Sequence, residues 1–529
     1  MTNTIPAVGD LAAISIMLLA LVSSAITKNA TAKLRLLMCG SLVSFLIALG
    51  GLFLFCLQST SAIQTPQLAQ SWPIRVDFLS ALMLPVITFI SCATVFYSER
   101  YLAAESSRVA FIQLLISLTL TSILFVFSNN LILSFACWHG VSLLLWKIVA
   151  IQGETKNSRT VLSHHLLSDG LMLLAFALLY LCSNTTNLSE LYAASEGLKN
   201  AEGGTAPVIT LIGFMMVLAA TIKSALFPFH RWLIAILNAP TPLSGFLHAG
   251  VVNVSAILAA RLFPVFSWPV LAAWAILSLA SCIVGTLSMS AQTDVKRKLV
   301  YSTVGQMGFM CFQCALGAVP AAVFHMVAHG FFKCHMFLQS ASAVTEGGLK
   351  RRWGAKQEGQ PVGFNSGRIA VFGVILAFSI VLLQQSSFDG RASLTALVAG
   401  AAIASSLPAF RRISSFSLVL CASLYMVFAT ASNYLSHSLI AYFDPIGGGT
   451  HQAWLTVCLF GLAALGTIIF LLRDTDFGRA IYVHSLNGFY LDEVVAKWLP
   501  VSQMAQRSGG RWQQRDEALD ATSTAVTSV

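Results

Sequence analysis

Charge is scarce in this chain. Only 10% of its 529 residues are Asp, Glu, Lys or Arg, while 56% are hydrophobic and the mean hydropathy is +0.77. A soluble globular chain carries about 25% charged residues. A water-soluble fold cannot hide this much apolar surface, so a lipid bilayer must take it. The patterns of catalysis are lacking too. There is no phosphate-binding glycine loop, nucleophile elbow or clustered metal-ligand set, and no ligand set for haem or iron–sulfur. The chain therefore reads as a non-enzyme with no cofactor of its own. Nearly all of its 11 cysteines lie inside apolar runs, where thiols act as small hydrophobes. The one close pair, Cys311 and Cys314, is a weak sign of zinc without a second pair. The formal charge of +10 is spread over short loops; a nucleic-acid binder gathers its charge into one footprint, so that class is excluded. The first apolar run has no basic region before it and no small-residue cleavage site after it, and reads as a retained helix.

What the chain does have is apolar runs. Runs long enough to cross a bilayer, about 17–25 residues, fall at 8–27, 34–57, 76–97, 109–128, 131–151, 162–182, 207–237 (broken), 241–262, 269–290, 299–317, 321–343, 368–384, 393–407, 414–434 and 453–472. Helices satisfy their own backbone hydrogen bonds in lipid. The sequence thus predicts an all-α polytopic membrane protein with about fifteen transmembrane helices. With the N-terminus outside, the inner loops hold Lys28, Lys33 and Arg35; Arg100 and Arg108; Lys156 and Arg159; Lys296 to Lys298; Lys350, Arg351, Arg352 and Lys356; Arg411 and Arg412; Arg473 and Arg479. The outer loops hold only Arg75, Lys199, Arg261 and Arg391. That asymmetry places the C-terminal tail inside. Residues 483–506 mix Phe489, Tyr490, Val494, Val495 and Trp498 with Asp492, Glu493 and Lys497, the composition of an interfacial or docking helix. Residues 507–529 are polar and read as a disordered tail.

A charge near the bilayer centre costs at least about 2.5–3.5 kcal/mol, so each one calls for a reason. Lys223 lies in the middle of run 207–237, five residues before Pro228. A proline removes a backbone hydrogen bond and opens the helix; a broken helix with a lysine at membrane depth is a device for an ion site. Burial disfavours the charged form of an amine, which lets it exchange a proton near neutral pH. Lys223 reads as too deep to snorkel. His325, His329 and Lys333 recur at i, i+4 and i+8, on neighbouring parts of one helix face. They read as a proton relay, against the alternatives of a metal pair, which lacks a third ligand, and of satisfied core histidines. His248 follows Pro240-Thr241-Pro242 and could face Lys223. His139 follows Trp138, and Lys147 near the end of the same run is more simply a snorkelling side chain. Asp169 reads as the only carboxylate well inside a predicted helix; it is a counter-ion for a buried lysine or a helix-end residue with water access.

The stretch Asp294-Val295-Lys296-Arg297-Lys298-Leu299-Val300-Tyr301-Ser302-Thr303-Val304-Gly305-Gln306-Met307-Gly308 resembles a conserved-order motif of the proton-pumping antiporter-like subunits of respiratory complex I and multisubunit sodium/proton antiporters. Lys223-Ser224-Ala225 with Pro228, then Pro240-Thr241-Pro242-Leu243-Ser244 and His248, resemble that family's lysine-bearing broken helix and the helix after it. His325, His329 and Lys333 resemble its histidine–lysine helix, and Asp169 its helix-end aspartate. The resemblance covers roughly residues 76–345, with several separated motifs in order. It implies two inverted five-helix repeats, each with a broken helix and a half-channel. The implied division is N-terminal helices in 1–108, a first repeat in 109–262, a second in 263–412, C-terminal helices in 413–482, and a cytoplasmic docking segment with its tail in 483–529.

Three departures mark this chain. His139 stands where the family places a glutamate after the tryptophan. Runs 368–384 and 393–407 contain no lysine for the second broken helix, and the long lateral helix of the complex I member is missing. A narrower resemblance lies in His248-Ala249-Gly250-Val251-Val252-Asn253, Gln306-Met307-Gly308-Phe309-Met310, Gln313-Cys314 and His325-Met326-Val327-Ala328-His329-Gly330. These are similar to the membrane subunit of the two-subunit DAB inorganic-carbon accumulation system. The resemblance implies a bacterial inner-membrane protein and a large cytoplasmic partner of the DabA type, similar to a β-carbonic anhydrase and carrying zinc. It implies cation flow, of protons or sodium, coupled to one-way hydration of CO2 to bicarbonate. The alternative is a proton-translocating subunit of a redox-driven or antiporter complex.

Overall fold

The computed structural model describes residues 4–58, 73–200, 205–237, 239–352, 475–487 and 489. The runs expected at 368–384, 393–407, 414–434 and 453–472, the second repeat's break, and nearly all of 483–529 lie outside the described residues. The helices are α1 (Thr4–Ile26), α2 (Ala30–Gln58), α3 (Phe78–Tyr101), α4 (Arg108–Phe127), α5 (Leu131–Ala150), α6 (Thr155–Ser183), α7 (Leu188–Asn200), α8 (Thr205–Lys223), α9 (Arg231–Ala235), α10 (Thr241–Ala249), α11 (Val254–Leu262), α12 (Trp268–Ala291), α13 (Val295–Ala315), α14 (Val319–Arg352) and α15 (Asp476–Leu486). Among the described residues the only β pairing is two isolated bridges, Ile74 with Ser128 and Asn130 with Asn187. Nine of the described stretches are long and apolar enough to cross a membrane, and the chain is a multi-pass membrane protein. Helices α13 and α14 also have crossing length, but Gln306, Gln313, His325, His329 and Lys333 make them less apolar than those nine.

Short polar side chains start the helices. Asp77 caps α3 in a reciprocal box with Ser80, its carboxylate accepting from Ser80 N at 3.0 Å while Asp77 N donates to Ser80 Oγ at 2.8 Å. Asn130 caps α5 through Ile132 N at 2.8 Å, and Asp294 caps α13 through Arg297 N at 2.7 Å. Each cap satisfies a donor that the first turn leaves without a helical partner.

Two parts of the fold differ from the expectation. Run 241–262 is not one helix. It stops at Ala249, passes through Gly250 and a 3-10 turn at Val251–Asn253, and resumes as α11. The Asn253 side-chain amide donates to Ala249 O at 2.7 Å, a carbonyl that a continuous helix would give to the Asn253 backbone N–H. Arg261, expected in an outer loop, is 5% exposed. Its guanidinium bonds both oxygens of Asp77 and donates to Val126 O at 2.7 Å. Arg75 joins the same carboxylate at 2.9 Å. This cluster staples the ends of α3, α4 and α11. Helix α7 was not visible as an apolar run because only one of its faces is apolar; Leu188 and Leu191 are buried and the Tyr192 hydroxyl donates to Arg261 O.

The tightest helix pair is α12 with α13. Small residues let their backbones touch, as is usual in membrane bundles. A Cβ added to Gly285 would lie 2.3 Å from Gly305 N, and one added to Gly308 would lie 2.5 Å from Cys282 N. At the C-terminal end of α12, Gln292 donates to Leu486 O at 3.1 Å. That bond puts α15 at the end of the bundle that also carries Lys296, Arg297 and Lys298. We expect Gly308→Leu to force α12 from α13 and to abolish monodisperse protein in detergent chromatography. Gly50→Ala, where an added Cβ meets nothing within 4 Å, should elute as wild type.

Candidate functional site

Lys223 is the last residue of α8 and is fully buried. The helix ends there because the next residues cannot continue it. Ala225 sits in the left-handed region at φ 54°, a conformation that costs a non-glycine residue roughly 1 kcal/mol or more. Pro228 follows without a backbone N–H. The freed polar groups are taken up by side chains from other helices. Trp232 Nε1 donates to Ile222 O at 2.9 Å and Phe227 N donates to Ser281 Oγ at 3.0 Å; beside the break the Ser224 hydroxyl donates to Ser255 Oγ at 2.8 Å. Helical structure is thus interrupted between Lys223 and Arg231.

The Lys223 ammonium has two acceptors. It donates to Asp169 Oδ1 at 3.0 Å and to the Trp138 carbonyl. It also lies 4.4 Å from the centre of the Trp138 ring, within cation–π range. Asp169 is 3% exposed and stands in the middle of α6, so it is a mid-helix counter-ion and not the helix-end residue that the resemblance implied. Its Oδ1 also accepts from Ser142 Oγ at 3.0 Å, and its Oδ2 lies 2.8 Å from His139 Nδ1. His139, Asp169 and Lys223 therefore form one continuous hydrogen-bonded chain across α5, α6 and α8. The His139 side chain is 37% exposed, against 4% for Asp169 and 1% for Lys223, so the chain runs from an accessible group to a sealed one. Lys147 on the same helix is exposed, as a snorkelling side chain should be.

On the far side of Lys223 lies a cavity of about 40 Å³. Its lining is mostly apolar, with Ile87, Phe125 and Phe246 among the walls, and Lys223, Trp138 and Asn253 bring polar groups to it. Trp138 Nε1 and Asn253 Oδ1 are buried without a hydrogen-bond partner. A water needs only about 10–15 Å³ of such space and two or more polar partners.

The other group of expected residues is more dispersed. His248 turns from Lys223 toward α13 and α14, with Nδ1 3.0 Å from Thr303 Oγ1 and its ring stacked on Phe337 at 4.3 Å. Lys333 is fully buried and donates to Leu299 O at 3.0 Å. Among the described residues it forms no ion pair. His329 is 5% exposed, and among the described residues neither ring nitrogen has a hydrogen-bond partner. His325 packs against α13, its ring 6.1 Å from that of His329. No direct hydrogen bond joins these four side chains among the described residues, so a proton passing between them needs intervening water.

Several buried polar residues were missed from the sequence. Asp10 and Asp77 join Asp169 as buried carboxylates inside or at the start of predicted spans. His165, one turn before Asp169, is fully buried, packs its edge on Trp232 at 4.6 Å and has no partner for either ring nitrogen. The signal for His165 was present, an imidazole within run 162–182. Ser142 and Ser255 gave none, because serine is common in membrane helices. Among the described residues no three His, Cys, Asp or Glu side chains converge as a metal site; Cys311 lies 3.0 Å from Ser255 Oγ instead.

Breaking a buried ion pair from one side leaves an uncompensated charge, at about 3–5 kcal/mol. Asp169→Asn and Lys223→Met should each lower the apparent melting temperature in detergent. The double variant should be more stable than either. Additive losses in the double variant would show that the two groups are energetically independent.

Comparison with known proteins adds the following. Residues 128–355 match the family described as NADH:quinone oxidoreductase/Mrp antiporter, transmembrane. Residues 63–112 match the N-terminus of complex I chain 5. The "Probable inorganic carbon transporter subunit DabB1" of Halothiobacillus neapolitanus is 36% identical over 278 residues, 51% of this chain and 50% of that protein. The DabB subunit of Bacillus subtilis is 34% identical over 277 residues, 51% and 54% of the two chains. The NAD(P)H-quinone oxidoreductase chain 5 of Synechocystis is 28% identical over 278 residues, 51% and 40% of the two. The chain thus spans about half the length of these curated relatives. A chain of the membrane-bound sulfane sulfur reductase, an archaeal respiratory membrane complex, superposes with a TM-score of 0.59 at 18% identity, covering 85% of this chain and 99% of that one. At that identity the likeness concerns the fold alone.

Proposed function

We propose that this chain is an antiporter-like membrane subunit, as its matches to that family support, and that it is the proton-conducting, energising subunit of a complex that accumulates inorganic carbon. The observation that carries the reading is the buried chain His139–Asp169–Lys223. Protons move between groups that share a hydrogen bond directly or through a water. In this reading His139 exchanges protons with its surroundings, Asp169 holds them beside the ammonium, and Lys223 at the helix break hands them on. The cavity beside Asn253 supplies a place for water on the way to His248, His329, Lys333 and His325. The chain performs no bond chemistry itself.

The substrate assignment draws on the named relatives, which are inorganic carbon transporter subunits at 36% and 34% identity. In this reading a large cytoplasmic partner similar to a β-carbonic anhydrase holds zinc and converts CO2 and water to bicarbonate and a proton. Flow of cations through the membrane subunit makes that step one-way. The N-terminus lies outside the inner membrane and the partner docks at the basic inner end, near Lys296 to Lys298 and the tail from 483. The quinone-oxidoreductase relative at 28% identity supports a second reading, a proton-translocating subunit of a redox-driven complex.

Two measurements test this. Lys223→Ala, matched to wild type for membrane abundance, should reduce uptake of labelled inorganic carbon to background; undiminished uptake would overturn the path. Affinity purification of the tagged chain from its native membrane should bring down a large zinc-containing soluble subunit. Recovery of quinone-reactive or hydrogenase subunits instead would decide for the second reading.

A further inference from the structure

His325 is held in a way that the proposed path does not by itself require. Its Nδ1 lies 3.1 Å from Gln313 Oε1 and its Nε2 lies 2.7 Å from Gln306 Oε1, so both ring nitrogens face amides of α13. Gln313 is 1% exposed, and among the described residues its Nε2 has no hydrogen-bond partner. The Phe309 ring is 5.7 Å from the imidazole, and His329 is the titratable ring that faces it on its own helix at 6.1 Å. Of the other elements packed on α14, α10 brings His248, which bonds Thr303. No described Asp, Glu, Lys or Arg of α3, α10, α11 or α13 forms an ion pair with His325.

Two carbonyl acceptors match an imidazolium, which donates from both nitrogens. A neutral imidazole has one N–H and one bare nitrogen, so it cannot satisfy two carbonyls. A glutamine amide solves this by a half-turn about its last torsion, which replaces the carbonyl by an NH2 donor. The unpartnered Gln313 Nε2 is the donor such a turn would bring to His325.

We propose that Gln306 and Gln313 form an amide clamp that holds His325 in either protonation state, one amide turning as the proton arrives or leaves. They are positioning residues for proton transfer at His325, and this rests on the proton-path reading above. The ring keeps its place through the cycle because an acceptor or a donor is offered to each nitrogen in turn.

The test uses the full chain, labelled with ¹⁵N-histidine, in lipid nanodiscs, with His325→Gln to assign the His325 ring signals. A carboxylate beside the imidazole favours its charged form and an apolar side chain disfavours it. Gln313→Glu should therefore raise the His325 titration midpoint by about one pH unit or more, and Gln313→Leu should lower it by a similar amount. The pH profile of proton transport should move with each. Gln306 lies at the surface of the described helices, so Gln306→Glu and Gln306→Leu repeat the test with less disturbance of packing. Midpoints that coincide with wild type, or that move in the same direction in both variants, would overturn the clamp. Lys223→Ala measured alongside separates the two ideas. If it is inactive while the midpoints stay fixed, only the clamp fails. If it transports normally while the midpoints move apart, the clamp stands and the path through Lys223 fails.

Discussion

Much of the described bundle is arranged around one interaction, the contact of the Lys223 ammonium with the Asp169 carboxylate inside an apolar bundle. Neither ion is tolerable there alone. Asp169 can be buried because Ser142, His139 and Lys223 fill its lone pairs. Lys223 can be buried because the helix break exposes it to the carboxylate and to the Trp138 carbonyl together. The break in turn is supported by Trp232 and Ser281, which supply and accept hydrogen bonds for backbone groups that the helix gives up. Taking away any one of these returns an unpaired polar group to a place without water.

The second buried lysine shows the contrast. Lys333 has a backbone carbonyl as partner and, among the described residues, no counter-ion. A carbonyl accepts from either an ammonium or a neutral amine, more strongly from the ammonium, but it brings no opposite charge; a carboxylate adds a full counter-charge and so favours the ammonium far more. The two lysines are thus held by opposite means. One site stabilises a resident charge, and the other leaves the charge state open.

Much of this was legible in the sequence for a simple reason. A polar residue inside a long apolar run stands out against its neighbours, and Lys223, Asp169, His248, His325, His329 and Lys333 all stood out that way. The same signal at His165 and Asp10 went unread. The convergence of α5, α6 and α8 on one carboxylate was not legible, because it depends on packing between segments 30 and 54 residues apart. Arg261 was misplaced because counting loop charges treats every arginine near a helix end as solvated; its partner Asp77 is 184 residues away. The interruption at Gly250 was hidden because glycine and asparagine are ordinary in membrane helices until a side-chain amide captures a backbone carbonyl. The clamp on His325 was hidden for a related reason, since glutamine carries no charge to draw attention to it.

The staple of Asp77, Arg75 and Arg261 has a mechanical meaning. It joins α3, α4 and α11 at the end of the bundle where α3 begins and α4 finishes. A bidentate, buried ion pair resists both sliding and tilting, since either motion strips hydrogen bonds from three charges at once. Helices tied at one end can spread only from the other, as the ribs of a fan do from the rivet. Small movements around Lys223 will therefore be largest at the opposite end, where the basic turn of Lys296 to Lys298 and α15 lie. A rim fixed in this way makes the other end of the bundle the responsive one.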